Sequence, residues 1–236
     1  KSVKIANNIS DTSAVQIREQ NAKLSGMNVT TEPTVSYTSD NLASHVLGYV
    51  GAISEEEYET RKDTYRNDDI IGKDGIQYVL EEYLKGTDGV KQVDMTVDGA
   101  ITSEYISEEA VAGSDVILTI DANLQQVAED ALEQNIKDIA DGEYGEKHDA
   151  TAGAVVVMDV NTGEVLAMAS YPDYNPAKFS EEYSEDDTGR YSNRAISSAY
   201  PPGSTFKMAV ATAALDTETI TPTTRINDTG VYPYSY

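Results

Sequence analysis

Apolar positions along the chain follow two periods, and the switches between them mark out its elements. Residues 11–24 carry Ala14, Val15, Ala22 and Leu24 on one side, which predicts a helix with Asp11 and Thr12 as N-cap candidates and Gly26 as its stop. An apolar stretch over 42–53 is interrupted by Gly48 and Gly51. Ser54-Glu55-Glu56-Glu57 then fits a capping box, with acidic side chains where the helix dipole favours them. Ile76, Val79, Leu80, Tyr83 and Leu84 fall at helical spacing, predicting a helix over about 75–84 with Gly86 in the C′ place. From Val90 the period drops to two. Val93, Met95 and Val97 alternate with polar residues, Asp98-Gly99 predicts a tight hairpin turn, and a return strand covers about 101–106.

The acidic, Gly-bearing segment 108–114 predicts a domain boundary near Gly113, giving domains over 1–113 and 114–236. Residues 116–120 read as a short strand. Asp121 then caps a long helix reaching about Ala140, with Leu124, Val127, Ala128, Ala131, Leu132 and Ile139 on its buried side and Gly142 just past its end. Residues 152–160, the turn Asn161-Thr162-Gly163 and residues 164–170 predict an antiparallel hairpin. Residues 171–193 form a long loop with an acidic core at 181–187, read as solvated rather than cation-binding. Tyr200-Pro201-Pro202-Gly203 halts the preceding structure. Residues 204–215 read as a buried, Ala-rich helix that ends before Pro222.

Composition narrows the function classes. The 236 residues hold 17 Lys+Arg against 41 Asp+Glu, a net charge of −24, which repels nucleic-acid phosphates. The absence of cysteine rules out a thiol nucleophile. His45, in an apolar Gly-flanked segment, reads as structural, and His148 as solvated; a His-rich metal site is excluded and no cofactor is expected. No run approaches the ~18 apolar residues of a membrane span. The opening Lys1-Ser2-Val3 and the closing Tyr232-Pro233-Tyr234-Ser235-Tyr236 carry no start or stop punctuation, so the expectation is a piece of a longer protein.

Ser204-Thr205-Phe206-Lys207 is the single Ser-x-x-Lys of the chain. At a helix start, residues three apart share a face, so the Ser204 hydroxyl and the Lys207 amine can meet. The positive helix end, and burial against the Ala-rich helix, would both favour a neutral amine able to take the serine proton. Free backbone N–H groups there, that of Ser204 included, suit an oxyanion hole. Taken alone, the tetrad equally describes a serine N-cap followed by a surface lysine.

The surrounding residues add a resemblance. Tyr200-Pro201-Pro202-Gly203-Ser204-Thr205-Phe206-Lys207 resembles the active-serine motif of class B penicillin-binding proteins, the D,D-transpeptidases of bacterial cell-wall synthesis. The stretch 152–172 is similar to that family's entry hairpin, and Asn193-Arg194-Ala195 to its approach to the active serine. Leu118-Thr119-Ile120-Asp121 with Leu124-Gln125 resembles the first transpeptidase helix. Ala43-Ser44-His45-Val46-Leu47-Gly48-Tyr49-Val50-Gly51, Gly72-Lys73-Asp74-Gly75-Ile76-Gln77 and Leu84-Lys85-Gly86-Thr87-Asp88-Gly89 are similar to the non-catalytic pedestal, or dimerisation domain.

The resemblance implies an α+β pedestal followed by a truncated α/β penicillin-binding domain of serine β-lactamase type. It implies that Ser204 is the nucleophile and Lys207 the general base in cross-linking peptidoglycan stem peptides ending in D-Ala-D-Ala, with β-lactams as substrate mimics. It also implies protein partners in cell-wall synthesis reached through the pedestal, and an extracytoplasmic location with an N-terminal membrane anchor absent from this chain. The family's Ser-x-Asn and Lys-[Ser/Thr]-Gly motifs do not follow Ser204. Ser39-Asp40-Asn41 and Lys73-Asp74-Gly75 stand in the wrong order and read as loops, so the fragment alone is expected to be inactive. The alternatives are a penicillin-sensing receptor or assembly scaffold of the same fold, or a serine β-lactamase.

Overall fold

A computed structural model describes residues 5–20, 23–24, 26–31, 34–97, 101–179 and 188–230. The chain divides into two compact units, 1–197 and 198–236.

The larger unit opens with helix α1 (Asp11–Glu19), shorter than predicted. Its N-cap is Ser10, whose hydroxyl accepts from Ser13 N, rather than Asp11 or Thr12. It buries no residue, because its apolar positions are too few to form a stripe. Helix α2 (Ser44–Leu47) leads into strand β1 (Val50–Ala52), helix α3 (Glu55–Arg61) and strand β2 (Ile70–Gly72), which pairs antiparallel with β1. The capping box forms as predicted: Ser54 Oγ accepts from Glu57 N, and the Glu57 carboxylate accepts from Ser54 N. Ile53, Tyr65 and Ile71 make a small core with Tyr58 packed against it.

The helix predicted over 75–84 is two short helices, α4 (Gly75–Val79) and α5 (Glu81–Leu84), broken at Leu80. Two contacts explain the break. The Glu81 carboxylate accepts from Gly72 N at 2.8 Å, drawing α5 back onto β2. A Cβ on Gly72 would lie 2.1 Å from Gln77 O, so α4 and β2 meet backbone to backbone. Strands β3 (Val90–Met95) and β4 (Ile101–Glu108) pair antiparallel with two register irregularities. The Asp98-Gly99 turn lies outside the described residues. Val90, Val93, Tyr105 and Ile106 on this ribbon are all exposed.

Residues 116–120 are not a strand. They run beside the later hairpin through two bonds: Thr119 Oγ1 donates to Val165 O at 2.6 Å and Asp121 N to Leu166 O at 2.9 Å. Helix α6 (Ala122–Asp141) follows, capped by Asp121 Oδ1, which accepts from Asn123 N and Leu124 N, and closed by left-handed Gly142. Strands β5 (Gly153–Met158) and β6 (Val165–Tyr171) pair antiparallel around the Asp159–Gly163 turn. Ala128 of α6 meets Ala167 and Ala169 of β6, flanked by Leu124, Leu132, Val155 and Val157. Alanines at the crossing let helix and sheet approach closely. Val127 and Ala131, expected inside, are exposed, while Gln125 is fully buried. Short helix α7 (Arg194–Ser197) packs on the β5–β6 hairpin.

The smaller unit contains a 3₁₀ turn (Gly203–Phe206) running directly into helix α8 (Lys207–Asp216). No helix among the described residues is long and apolar enough to cross a membrane.

Candidate active site

Pro202 precedes the 3₁₀ turn with helical dihedrals, and Gly203 takes φ +54°, a conformation that favours glycine. Ser204 therefore lies in the opening turn of a continuous helical segment. Its carbonyl accepts from the Lys207 backbone N–H, an i to i+3 bond. At three residues per turn, positions 204 and 207 eclipse, so the two side chains leave the same side of the turn. That places the pair more closely in line than α-helical spacing would. No hydrogen bond joins Ser204 Oγ to Lys207 Nζ. Thr205 is engaged instead with Pro202, through its backbone N–H at 3.2 Å and its hydroxyl.

One expectation fails here. Ser204 and Lys207 are exposed and α8 buries no residue, so the burial invoked for the lysine is absent. The physical reason lies in the sequence of α8. Met208, Ala209, Val210, Ala211, Ala213, Ala214 and Leu215 leave no polar stripe, and such a helix needs cover on several sides. Within its own unit Met208 stays 74% exposed and Val210 55%.

The other family-like residues fall in the larger unit, where they are well engaged. His45 is buried, its ring edge-on to Tyr174 at 5.1 Å and its Nε2 2.6 Å from Arg190 O. Burial lowers its pKa, which keeps the imidazole neutral. A carbonyl partner requires Nε2 to carry the proton. Tyr174 is buried among His45, Tyr49, Phe179 and Tyr191, and its hydroxyl donates to Ser44 O at 3.0 Å. Asn193 donates to His45 O at 3.2 Å, and Ser170 Oγ accepts from Arg194 N at 3.1 Å. His148 is exposed, as expected. The decoy motifs do structural work: Asn41 donates to Asp173, Lys73 pairs with Glu57, and Asp74 caps α4. Residues 181–187, Tyr232 and Tyr234 lie outside the described residues.

Sequence reasoning missed the role of Gln125. Its Oε1 accepts from Met168 N at 2.7 Å and its Nε2 donates to Met168 O at 2.9 Å and to Glu129 Oε1 at 2.7 Å. That same Glu129 oxygen accepts from Ala43 N at 2.9 Å. A polar residue at an inward position of α6 was the available signal. Among the described residues, no cluster of three or more acidic or histidine side chains could hold a metal ion.

Comparison with known proteins bears on this geometry. Residues 1–118 match the penicillin-binding protein dimerisation domain, and residues 153–236 the penicillin-binding protein transpeptidase domain. The chain is 32% identical over 240 residues to the peptidoglycan D,D-transpeptidase MrdA of Acinetobacter baumannii, covering 98% of this chain and 33% of that protein. It is 35% identical over 209 residues to MrdA of Haemophilus influenzae, covering 83% of this chain and 30% of that one. A solved peptidoglycan synthase complex that coordinates polymerization and crosslinking matches with a TM-score of 0.72 and 33% identity, over 91% of this chain and 38% of the other. The complex of penicillin-binding protein PBP2 with MreC from Helicobacter pylori matches at 0.59 and 30% identity, over 80% and 34%. The chain thus spans about a third of the length of these relatives. With a dimerisation domain and part of a transpeptidase domain in the family's order, the chain belongs to the class B penicillin-binding proteins.

Proposed function

We propose that the protein to which this chain belongs is a serine D,D-transpeptidase that cross-links peptidoglycan stem peptides. Ser204 Oγ attacks the carbonyl carbon of the penultimate D-Ala while Lys207 Nζ takes the hydroxyl proton. The peptide C–N bond breaks, the terminal D-Ala leaves as an amine carrying that proton, and a serine ester remains. An acceptor amine from a neighbouring strand then attacks the ester, forms the new amide and returns the proton to Ser204. Backbone N–H groups of the opening helical turn, Ser204 among them, face the developing oxyanion. β-Lactams acylate the same oxygen as substrate mimics.

The observation that carries this reading is Ser204 in the first turn of a helical segment with Lys207 eclipsed behind it, in a chain homologous to peptidoglycan D,D-transpeptidases. The two side chains are exposed and not hydrogen-bonded to each other, which fits a fragment that is inactive by itself. Residues 1–113 serve as the pedestal and 114–236 as the leading part of the catalytic domain. The pedestal contacts other cell-wall synthesis proteins outside the cytoplasm, at the membrane to which the protein is anchored. The solved relatives, a peptidoglycan synthase complex and a PBP2–MreC complex, support that part of the reading.

The test is covalent labelling of the full-length protein by a fluorescent penicillin. Labelling is expected in the wild type and lost in Ser204→Ala. Persistence of the label in Ser204→Ala would remove Ser204 from the role of nucleophile.

A further inference from the structure

Ala43 is held in a conformation that its side chain does not favour. It takes φ +53°, in the left-handed region that crowds a Cβ, yet it is 7% exposed and caps the start of helix α2. Carboxylates keep the chain there. Glu129 Oε1 of α6 accepts from Ala43 N at 2.9 Å and from Gln125 Nε2 at 2.7 Å, and two residues earlier Asn41 Nδ2 donates to Asp173. The second Glu129 oxygen, Oε2, is closed to solvent and has no partner among the described residues. At residues 44 and 45 the grip is made by uncharged groups. The Tyr174 hydroxyl donates to Ser44 O, His45 Nε2 to Arg190 O and Asn193 Nδ2 to His45 O. Residues 41–45 lie within the region matching the dimerisation domain, whereas Asp173, Tyr174, Arg190 and Asn193 lie within the region matching the transpeptidase domain.

We propose that Glu129 and Asp173 form a pH-sensitive clasp on residues 41–43, closed when Glu129 is protonated and loosened when its proton passes to solvent. A proton on Oε2 removes charge from the oxygen that has neither solvent nor donor, and leaves Oε1 to accept from Ala43 and Gln125. Loss of that proton sets two negative charges against one strained segment. Lifting residues 41–43 away admits water to Glu129, so the ionised side chain favours the open clasp and the protonated one the closed clasp. Burial is the largest cause of the raised Glu129 pKa; Asp173 and, on its own helix, Asp130 add to it, and together they outweigh the bonds from Gln125 and Ala43. Lys137 of α6 and His45 of α2 both interact with Asp173, and Arg194 of α7 and Asp74 face His45. His45 works in the opposite sense. Burial lowers its pKa, so acidification places a charge in a buried site, and a grip that firms on acidification has its origin elsewhere.

The test is hydrogen exchange of the full-length protein, read at the Ala43 amide and corrected for the intrinsic pH dependence of exchange. The Ile53 amide, bonded to Asp69 O, serves as reference. Wild-type protection at Ala43 is expected to fall more than about threefold between about pH 4.5 and about pH 7.5, relative to Ile53. Glu129→Gln is uncharged throughout and should show no such fall. Asp173→Asn keeps an acceptor for Asn41 but removes the opposing charge, and should show a smaller fall than wild type. A change of less than about threefold in wild type, or a fall of that size that survives Glu129→Gln, overturns the proposal. Should Glu129→Gln not fold, Asp173→Asn decides, and an undiminished fall in that variant overturns the proposal equally.

Discussion

Two carboxylates, Glu57 and Glu129, respond to their surroundings in opposite directions, and the difference can be measured. Glu57 pairs with Lys73 and accepts from Ser54 N, and its pKa is lowered to about 2, first by the Lys73 bond and then by the Ser54 backbone. A lowered carboxyl contributes stability that is present above the ordinary value near 4.5 and is lost as pH falls towards 2. Glu57→Gln, which keeps the reach of the capping box, is expected to cost about 1 kcal/mol at pH 7 and nothing near pH 2, read by urea titration at both pH values. Glu129 behaves in reverse. Burial raises its pKa, with Asp173 and Asp130 adding to the effect, and its Oε2 is buried without a partner. Its contribution is fullest below 4.5 and fades as pH rises through the folded value. Glu129→Gln should therefore gain on the wild type steadily between pH 4.5 and 7, seen as a widening difference in Tm. Four caps were legible at this scale because their signals are local, Ser54 with Glu57, Asp121, Gly86 and Gly142, whereas the cap of α1 fell on Ser10 and not on Asp11 or Thr12. The partner of Gln125 was not legible, since Met168 lies 43 positions away.

At the scale of elements, period and punctuation located the two hairpins and α6 to within a few residues, and the α6 cap was read correctly. Two errors share one cause. Helical spacing over 75–84 took no account of Glu81 reaching back to Gly72, and the apolar run at 116–120 took no account of α6 closing beside β6. Contacts between distant segments overrode local pattern in both cases. The pairing of Gln125 with both backbone groups of Met168 is itself an element-scale device, an amide standing where a neighbouring strand would be. Gln125→Met preserves bulk but leaves the Met168 N–H and C=O unpaired. A loss of about 2 to 3 kcal/mol is expected by denaturant unfolding, and Gln125→Glu, which sets an oxygen against the acceptors Met168 O and Glu129 Oε1, should lose at least as much near neutral pH.

For the molecule as a whole, 41 acidic against 17 basic residues make self-repulsion a general burden on the folded state. The ion pairs available to offset it, such as Lys62–Glu59 and Lys137–Glu133, are exposed and contribute little. Raising sodium chloride from about 10 to 150 mM should therefore raise Tm, because screening relieves repulsion faster than it weakens such pairs. A fall in Tm over that range would mean that specific pairs outweigh the net charge. The motif around Ser204 was readable from the sequence as a family likeness. The exposure of α8 was not, because burial depends on which surfaces are present to cover a helix, and a run of alanines and valines states only that cover is needed.

The crossing of Gln125 onto Met168 also decides where the β5–β6 ribbon can grow. Along its β6 flank, Thr119 Oγ1, Asp121 N and Gln125 already occupy the backbone groups of Val165, Leu166 and Met168. Any further strand recruited to this layer, from the same polypeptide or from another copy, can dock only along the opposite flank, beside residues 153–158. Among the described residues, enlargement of this layer is therefore one-directional, by a strand pairing along the β5 flank.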